Sequence, residues 1–282
     1  MAKALQTAYL NGKYLPLEEA AISPLDRGFL FGDAVYEVVP VFGNQPLLLG
    51  AHLARLDRSL KEISIENPHT EAEWKAIIAT LTERNDAPNM TIYMQVSRGA
   101  DSGRDQAFPG AHVAPSVFAM ATPLTVNDYS SGVAAITLPE NRWSRCDIKS
   151  TSLLANVLAR QTAAEAGAVD AILLRDGKVT EAAVSSVIIV ENGQLVRRYN
   201  STAILPGTTT DHVVELALSA GFACREEEVT ESRLRQADEI WLTGATKGIA
   251  PVVTLDGQPV GEGKPGPVWL KVSQLYEAGK LG

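Results

Sequence analysis

Residues 145–167 read RCDIKSTSLLANVLARQTAAEAG. Leu153, Leu154, Val157 and Leu158 recur at helical spacing, which predicts a helix starting near Ser152 with one buried apolar face. The alanines that follow favour a helix, and Gly167 marks its end. Lys149 comes just before, behind Cys146 and Ile148, where a strand is expected to turn into that helix. A cation at a helix N-terminus opposes the macrodipole. An apolar setting disfavours the ammonium form. Two readings follow: a lysine whose stem carries its charge out to solvent, or a nucleophilic amine that forms a Schiff base with a carbonyl compound.

The chain has 282 residues, of which 45% are hydrophobic and 21% charged. Those values describe a globular protein with room for two domains. A net charge of -8 argues against a nucleic-acid partner. The two cysteines, Cys146 and Cys224, lie in apolar contexts and read as reduced core residues. MAKALQTAYLNGKYLP carries no apolar run of signal-peptide length, and no segment approaches a membrane span, so a cytoplasmic protein is expected. His52, His69, His112 and His212 show no ligand-like spacing, so no metal is expected. Nucleophile-elbow, P-loop and dinucleotide-glycine patterns are absent.

Asn11-Gly12 between short apolar runs predicts a hairpin, and Gly43-Asn44 a turn after the strand Ala34–Phe42. Leu49–Ile63 and Glu71–Arg84 carry apolar residues at helical spacing. Asn89–Arg98 and Ser116–Thr122 read as strands. This mixture predicts an α+β domain over residues 1–121, with helices on a largely antiparallel sheet. Ala121–Ser131 has neither period, and residues 122–131 are expected to connect the domains. Residues 132–282 then form a larger α/β or barrel-like domain. Its strands fall near 133–138, 171–174, 184–190, 239–242 and 252–255, and its helices start near Ser152, Thr209 and Glu231.

Other chemistry-bearing candidates are scattered. Glu181 follows the Asp176-Gly177 turn among small residues, with no basic partner nearby in sequence. It reads either as a strand-edge carboxylate or as a buried one facing a protonated ring nitrogen. Leu205-Pro206-Gly207-Thr208-Thr209-Thr210-Asp211 opens a helix, where its hydroxyls cap the backbone or its N–H groups hold a phosphate. Thr243-Gly244-Ala245-Thr246 is a second hydroxyl-rich turn. Arg55, on the first long helix, is either solvated or a phosphate cation whose fork matches the oxygens.

In this order, Arg55, Lys149, Glu181, Gly207-Thr208-Thr209 and Thr243-Gly244-Ala245-Thr246 resemble the fold-type IV pyridoxal-phosphate enzymes. Further similar segments are Asp26–Asp33, Val35–Val38 and Val96–Gly99, and the RGFLFGDAVYEV, YMQVSRG and RWSRCDIKS versions are most like the D-amino-acid aminotransferase branch. The resemblance implies a small α/β domain followed by a pseudo-barrel domain. It implies pyridoxal 5'-phosphate held by Lys149 as a Schiff base, and Glu181 on the pyridine nitrogen. Arg55, Thr208, Thr209 and Thr246 would hold the phosphate, with Ala245 contributing its backbone N–H. Arg142 would lie near the 3-hydroxyl and Leu205 against the ring.

The same resemblance implies transfer of an amino group from a D-amino acid to a 2-oxo acid such as 2-oxoglutarate or pyruvate, in a homodimer. An (R)-selective amine transaminase and an aminodeoxychorismate lyase are the alternatives. Tyr36 and Arg104 match the family's carboxylate trap. Gln106 stands where a histidine is expected, and it can donate a hydrogen bond but carries no charge. Arg98 is an alternative cation for that role. Lys247 is read as a solvated loop charge, or else as a cation at the pocket mouth.

Overall fold

The computed structural model describes residues 4–280, so the outermost ends of both expected domains lie outside the described residues. The chain divides into two compact units. The first extends to Thr125 and takes back Ile148–Ser152; the second comprises Val126–Asp147 and the chain from Leu153 onward.

The first unit is a six-stranded antiparallel sheet. It contains β1 (Thr7–Leu10), β2 (Lys13–Pro16), β3 (Ala34–Phe42), β4 (Gln45–Pro46), β5 (Asn89–Ser97) and β6 (Ser116–Pro123), in the order β2-β1-β6-β5-β3-β4. The Asn11-Gly12 and Gly43-Asn44 turns have positive φ at both residues, as tight hairpins of right-twisted strands require. A short helix α1 (Arg27–Phe31) precedes β3; α2 (Leu49–Glu62) and α3 (Glu71–Asn85) follow β4. Thr70 and Glu73 form a capping box at the start of α3. Leu53, Leu56 and Leu60 of α2 and Trp74, Ile78 and Leu81 of α3 share one core with Val35 and Val39 of β3 and Ile92 and Met94 of β5. Each such side chain contributes about 1.5–3 kcal/mol on burial. β6 runs to Pro123, into the stretch expected to be irregular, because its pairing with β5 continues to Met90.

The second unit is built on a nine-stranded mixed sheet. Its strands are β7 (Val133–Pro139), β8 (Asp170–Arg175), β9 (Lys178–Ala182), β10 (Ser186–Glu191), β11 (Gln194–Arg197), β12 (Cys224–Glu226), β13 (Glu239–Gly244), β14 (Gly248–Leu255) and β15 (Gln258–Pro259). The order is β12-β11-β10-β13-β14-β7-β8-β9, with β15 on β14. β9 lies at the end of that order yet turns directly into β10. Ala182 N–H donates to the Ser185 carbonyl at 2.7 Å and Ala183 N–H to that of Ala171 at 2.8 Å, so the sheet curls back on itself. Asp176-Gly177, Asn192-Gly193 and Asp256-Gly257 make further tight turns with positive φ.

The helices of this unit are α4 (Leu154–Glu165), α5 (Thr208–Ser219), α6 (Glu231–Gln236) and α7 (Pro267–Gly279). The expected burial of α4 is reversed. Leu154, Val157 and Leu158 are 73%, 59% and 61% exposed. The helix instead lays Ala159 and Ala163 against Ala171 and Leu173 of β8 and Ile136 of β7. Small side chains permit that close approach, and they necessarily turn the leucine stripe outward. No helix among the described residues is long and apolar enough to cross a membrane.

Candidate active site

Lys149 does not sit on the first turn of α4, which begins at Leu154. It lies in Ile148–Ser152, the segment that belongs to the first unit, where backbone pairing with β3 holds it extended. Tyr36 N–H donates to the Lys149 carbonyl at 2.9 Å, and Thr151 N–H to that of Ala34 at 3.0 Å. Lys149 N–H reaches the Ser59 hydroxyl of α2 at 3.3 Å. The Lys149 Nζ lies 4.2 Å from the centroid of the Tyr36 ring, which stacks on Tyr93. The helix-dipole expectation therefore does not apply; what holds the lysine is a strand edge and an aromatic face.

The next residue of β3, Glu37, points to the opposite face and is fully buried. Arg55 grips it with two bonds, Nε to Oε1 at 2.7 Å and Nη2 to Oε2 at 2.9 Å. The His52 Nδ1 lies 2.8 Å from Oε2. Burial pushes the Glu37 carboxyl up, but the Arg55 charge and the hydrogen bonds from Arg55 and His52 outweigh it and hold the pKa down at about 2. Burial lowers the pKa of His52, against the pull of Glu37. Arg55 is thus a buried member of an ionic cluster and not a solvated arginine. Glu37 was not singled out in the sequence; its place four residues after the Gly32-Asp33 turn, on a strand of apolar residues, was the available signal.

Arg98 is also committed. It forks onto Asp33 at 2.8 and 3.0 Å, donates to the carbonyls of Ile63 and Ser64, and is covered by Phe108 at 3.7 Å. Arg27 pairs with the same Asp33 and donates to the carbonyls of Asp105 and Gln106 at 2.5 and 3.0 Å, which ties down the loop between them. On that loop Arg104 is exposed, with its guanidinium 4.9 Å from the Phe31 centroid and no carboxylate partner among the described residues. Gln106 is exposed beside it.

Glu181, on β9, is buried in the second unit. It has a basic partner that lies far from it in sequence: Arg142 Nη1 donates to Oε1 at 2.5 Å, and Leu205 N–H donates to the same oxygen at 3.1 Å. Both contacts fall on Oε1, and Oε2 accepts no hydrogen bond from a described residue. Arg142 is shared with Glu140, which it meets at 2.5 Å and which also accepts the Thr180 hydroxyl at 2.8 Å. Burial raises the pKa of Glu181, and Arg142 opposes that rise. Burial also acts on Glu140, but the hydrogen bond and charge of Arg142 win and lower it. Glu140 is therefore the fixed anion of the pair, and Glu181 the one more easily protonated.

Glu181 lines a cavity with Leu205, Gly207, Ser186, Thr210 and Arg198. Gly207 and Thr210 in that lining belong to the start of α5. Gly207 is the N-cap, without a side-chain cap, and Thr208, Thr209 and Thr210 are all buried. A Cβ on Gly207 would come within 2.5 Å of the Thr210 hydroxyl and 2.7 Å of the Ser186 hydroxyl. The Thr210 and Thr243 hydroxyls bond at 2.7 Å, which joins α5 to the end of β13 and so to the Gly244–Lys247 turn. Lys247 is not a solvated loop charge: its side chain is 12% exposed and its Nζ meets Asp170 at 3.0 Å. Among the described residues no cluster of His, Cys, Asp and Glu could hold a metal ion.

Residues 34–255 match the family model for amino-transferase class IV. The D-alanine aminotransferase of Bacillus licheniformis is 39% identical over 269 residues, covering 95% of this chain and 94% of its own. The branched-chain aminotransferase of the thermophilic archaeon Thermoproteus uzoniensis, solved with norvaline, superposes with a TM-score of 0.88 at 25% identity, over 99% of this chain and 95% of its own. A PLP-bound hypothetical aminotransferase from Mycobacterium tuberculosis gives 0.85 at 26%, over 96% and 98%. The chain belongs to the class IV aminotransferases.

It is accordingly a pyridoxal-phosphate-dependent enzyme of fold type IV, acting on small amino and 2-oxo compounds. The donor set of the second unit fits that cofactor. An uncapped helix N-terminus with hydroxyls suits a dianionic phosphate. A buried carboxylate with one unengaged oxygen suits a protonated ring nitrogen, and both border one cavity. Leu205 offers apolar surface in the same cavity.

Proposed function

We propose that this aminotransferase moves an amino group from a D-amino acid to 2-oxoglutarate or pyruvate. The observation that carries this reading is the 39% identity, along nearly the whole chain, to a D-alanine aminotransferase. Arg104, exposed and without a carboxylate partner among the described residues, supports it as the cation for a substrate α-carboxylate. Tyr36 supplies a hydroxyl, and Gln106 a neutral donor.

Pyridoxal phosphate, when bound, supplies an electron sink for the pair left as the donor's Cα–H bond breaks. Lys149 would hold the cofactor covalently through Nζ and, once released by the substrate amine, would serve as the base that moves the proton at the substrate Cα. Glu181, whose Oε1 is held by Arg142 and Leu205, would pair with the protonated ring nitrogen, and Arg142 would act on the ring through Glu181. Thr208, Thr209 and Thr246, with the Ala245 N–H, would hold the phosphate, and Arg55, oriented by Glu37, would add the cation. The exposed row Leu154, Val157 and Leu158 supports a homodimer, to be checked by light scattering of the purified protein.

Wild-type enzyme offered D-alanine, L-alanine and (R)-1-phenylethylamine with 2-oxoglutarate tests the reading. D-alanine is expected to give the highest kcat/KM. A preference for L-alanine overturns it, and a preference for the amine establishes the (R)-amine alternative.

A further inference from the structure

Lys247 lies at the tip of the β13–β14 hairpin. Gly244 pairs with Gly248, leaving Ala245, Thr246 and Lys247 as the loop. Lys247 N–H closes the turn on the Gly244 carbonyl at 3.1 Å, and Gly248 follows with φ +68°. The left-handed Gly248 directly after the three loop residues returns the chain into β14. A Cβ at Gly248 would also come within 3.0 Å of the Tyr276 ring, so no other residue fits there without a shift.

The lysine side chain runs inward, away from the solvent a hairpin-tip lysine ordinarily seeks. Its Nζ donates to the Ser185 hydroxyl at 2.6 Å and to Asp170 Oδ2 at 3.0 Å. The Ser185 hydroxyl in turn donates to the same Oδ2 at 2.6 Å. Asp170 is completely buried and Ser185 is 6% exposed. The second oxygen of Asp170 accepts from Ala171 N–H at 2.9 Å. The triangle therefore joins three places in the fold: the tip of β13–β14, the start of β8, and the bend before β10. It is closed, and Ser185 already gives its proton to Asp170. A nucleophilic serine activated by the lysine is thus not what the geometry offers.

Breaking one member of such a buried charge pair leaves the other uncompensated, so the tip cannot leave this position cheaply. The consequence falls on its two neighbours. The N–H groups of Ala245 and Thr246 donate to no other described residue, while the Thr243–Thr210 hydroxyl bond places the base of the same hairpin against the start of α5. With Ala245 lacking a hydroxyl, its contribution to a bound anion depends on where its amide points.

We propose that Lys247 is a positioning residue for the phosphate group of the cofactor: by anchoring the hairpin tip to Asp170 and Ser185, it aims the Ala245 and Thr246 amides at the phosphate. This rests on the cofactor placement proposed above.

Apoprotein titrated with pyridoxal phosphate and with pyridoxal, which lacks the phosphate, tests it, each followed by the absorbance of the attached chromophore. Lys247→Met is expected to weaken pyridoxal phosphate about tenfold or more while leaving pyridoxal nearly unchanged, so that the ratio of the two dissociation constants collapses. Lys247→Arg, which keeps the charge, should recover part of that ratio. A wild-type ratio in a folded Lys247→Met protein overturns the inference. If that variant does not fold, Ser185→Ala removes a hydrogen bond but no charge and reads the same ratio; a wild-type ratio there overturns the inference equally. Wild-type protein that binds neither compound overturns the cofactor placement and this inference together. Wild-type protein that prefers the phosphorylated form, with an unchanged ratio in the variants, removes this inference alone.

Discussion

The amide of Tyr36 donates to the carbonyl of Lys149 at 2.9 Å, and the ring of the same tyrosine lies 4.2 Å from the lysine Nζ. One residue of β3 thus fixes both the backbone and the side chain of the lysine. Tyr36→Phe keeps the amide and the ring and removes only the hydroxyl. It should retain cofactor attachment and raise KM for D-alanine more than it lowers kcat. Tyr36→Ala should impair attachment itself. Absorbance of the bound cofactor, read beside steady-state kinetics, separates the two effects. Lys149→Ala should lose the yellow colour and lower turnover by a factor on the order of 10⁴, and wild-type turnover in that variant would sink the proposed mechanism.

Glu37 gives the first unit an acid limit. Its pKa in the folded protein is about 2, against an ordinary value of 4.5. Between those values the unfolded chain binds the extra proton. The stabilising contribution is therefore fully present above about pH 4.5 and is lost as pH falls toward 2. It is of the order of 3 kcal/mol by that difference. Glu37→Gln should lower stability at pH 7 and flatten its fall across this window. Urea unfolding at a series of pH values reads both slopes, and parallel acid limbs for the two proteins would refute the assignment.

Arg142 bridges two carboxylates at once, Glu140 at 2.5 Å and Glu181 at 2.5 Å. Arg142→Met should cost about 3–5 kcal/mol, because it strands a buried charge. Glu181→Gln leaves Arg142 with Glu140. It should keep the fold and cofactor binding while lowering kcat sharply, because a neutral amide cannot hold the ring nitrogen protonated. The check is a thermal melt beside single-turnover kinetics. An equal loss of Tm in the two variants would show that Glu181 serves mainly structure.

Legibility in the sequence followed the range of each interaction. The hairpins at Asn11-Gly12 and Asp176-Gly177 and the helices α2 and α3 are local, set by dipeptide chemistry and periodicity, and they stand where expected. Asn192-Gly193 and Asp256-Gly257 carry the same signal, and Pro267 at the first position of α7 is a comparable local helix-start signal. The long-range partners were hidden. Nothing near Glu181 announces Arg142, nothing near Lys247 announces Asp170, and Arg55 gives no hint of Glu37. The leucines of α4 have the pattern of a buried face, and periodicity alone does not say whether such a face meets its own core or another surface. Lys149 stands out in the sequence, but for a reason that the helix start at Leu154 removes.

Arg98 and Arg104 were both candidates for the substrate carboxylate, and their surroundings separate them. Arg98 is buried, paired with Asp33 and bonded to two backbone carbonyls, so it has structural work in the first unit. Arg104 is exposed, with only the Phe31 ring beneath it among the described residues. Arg98→Ala should cut stability by about 3 kcal/mol or more, since it leaves part of the buried Asp33 charge uncompensated. Its effect on activity should track loss of folded protein. Arg104→Ala should leave the melting temperature within a degree or two and raise KM for D-alanine at least tenfold, the equivalent of about 1.4 kcal/mol of carboxylate binding. Activity toward (R)-1-phenylethylamine, which has no carboxylate, should be spared. Gln106→His, which adds a group that can carry charge, should lower KM for D-alanine, and most at low pH where the imidazole is protonated. Should Arg104→Ala slow both donors equally, the carboxylate is bound elsewhere.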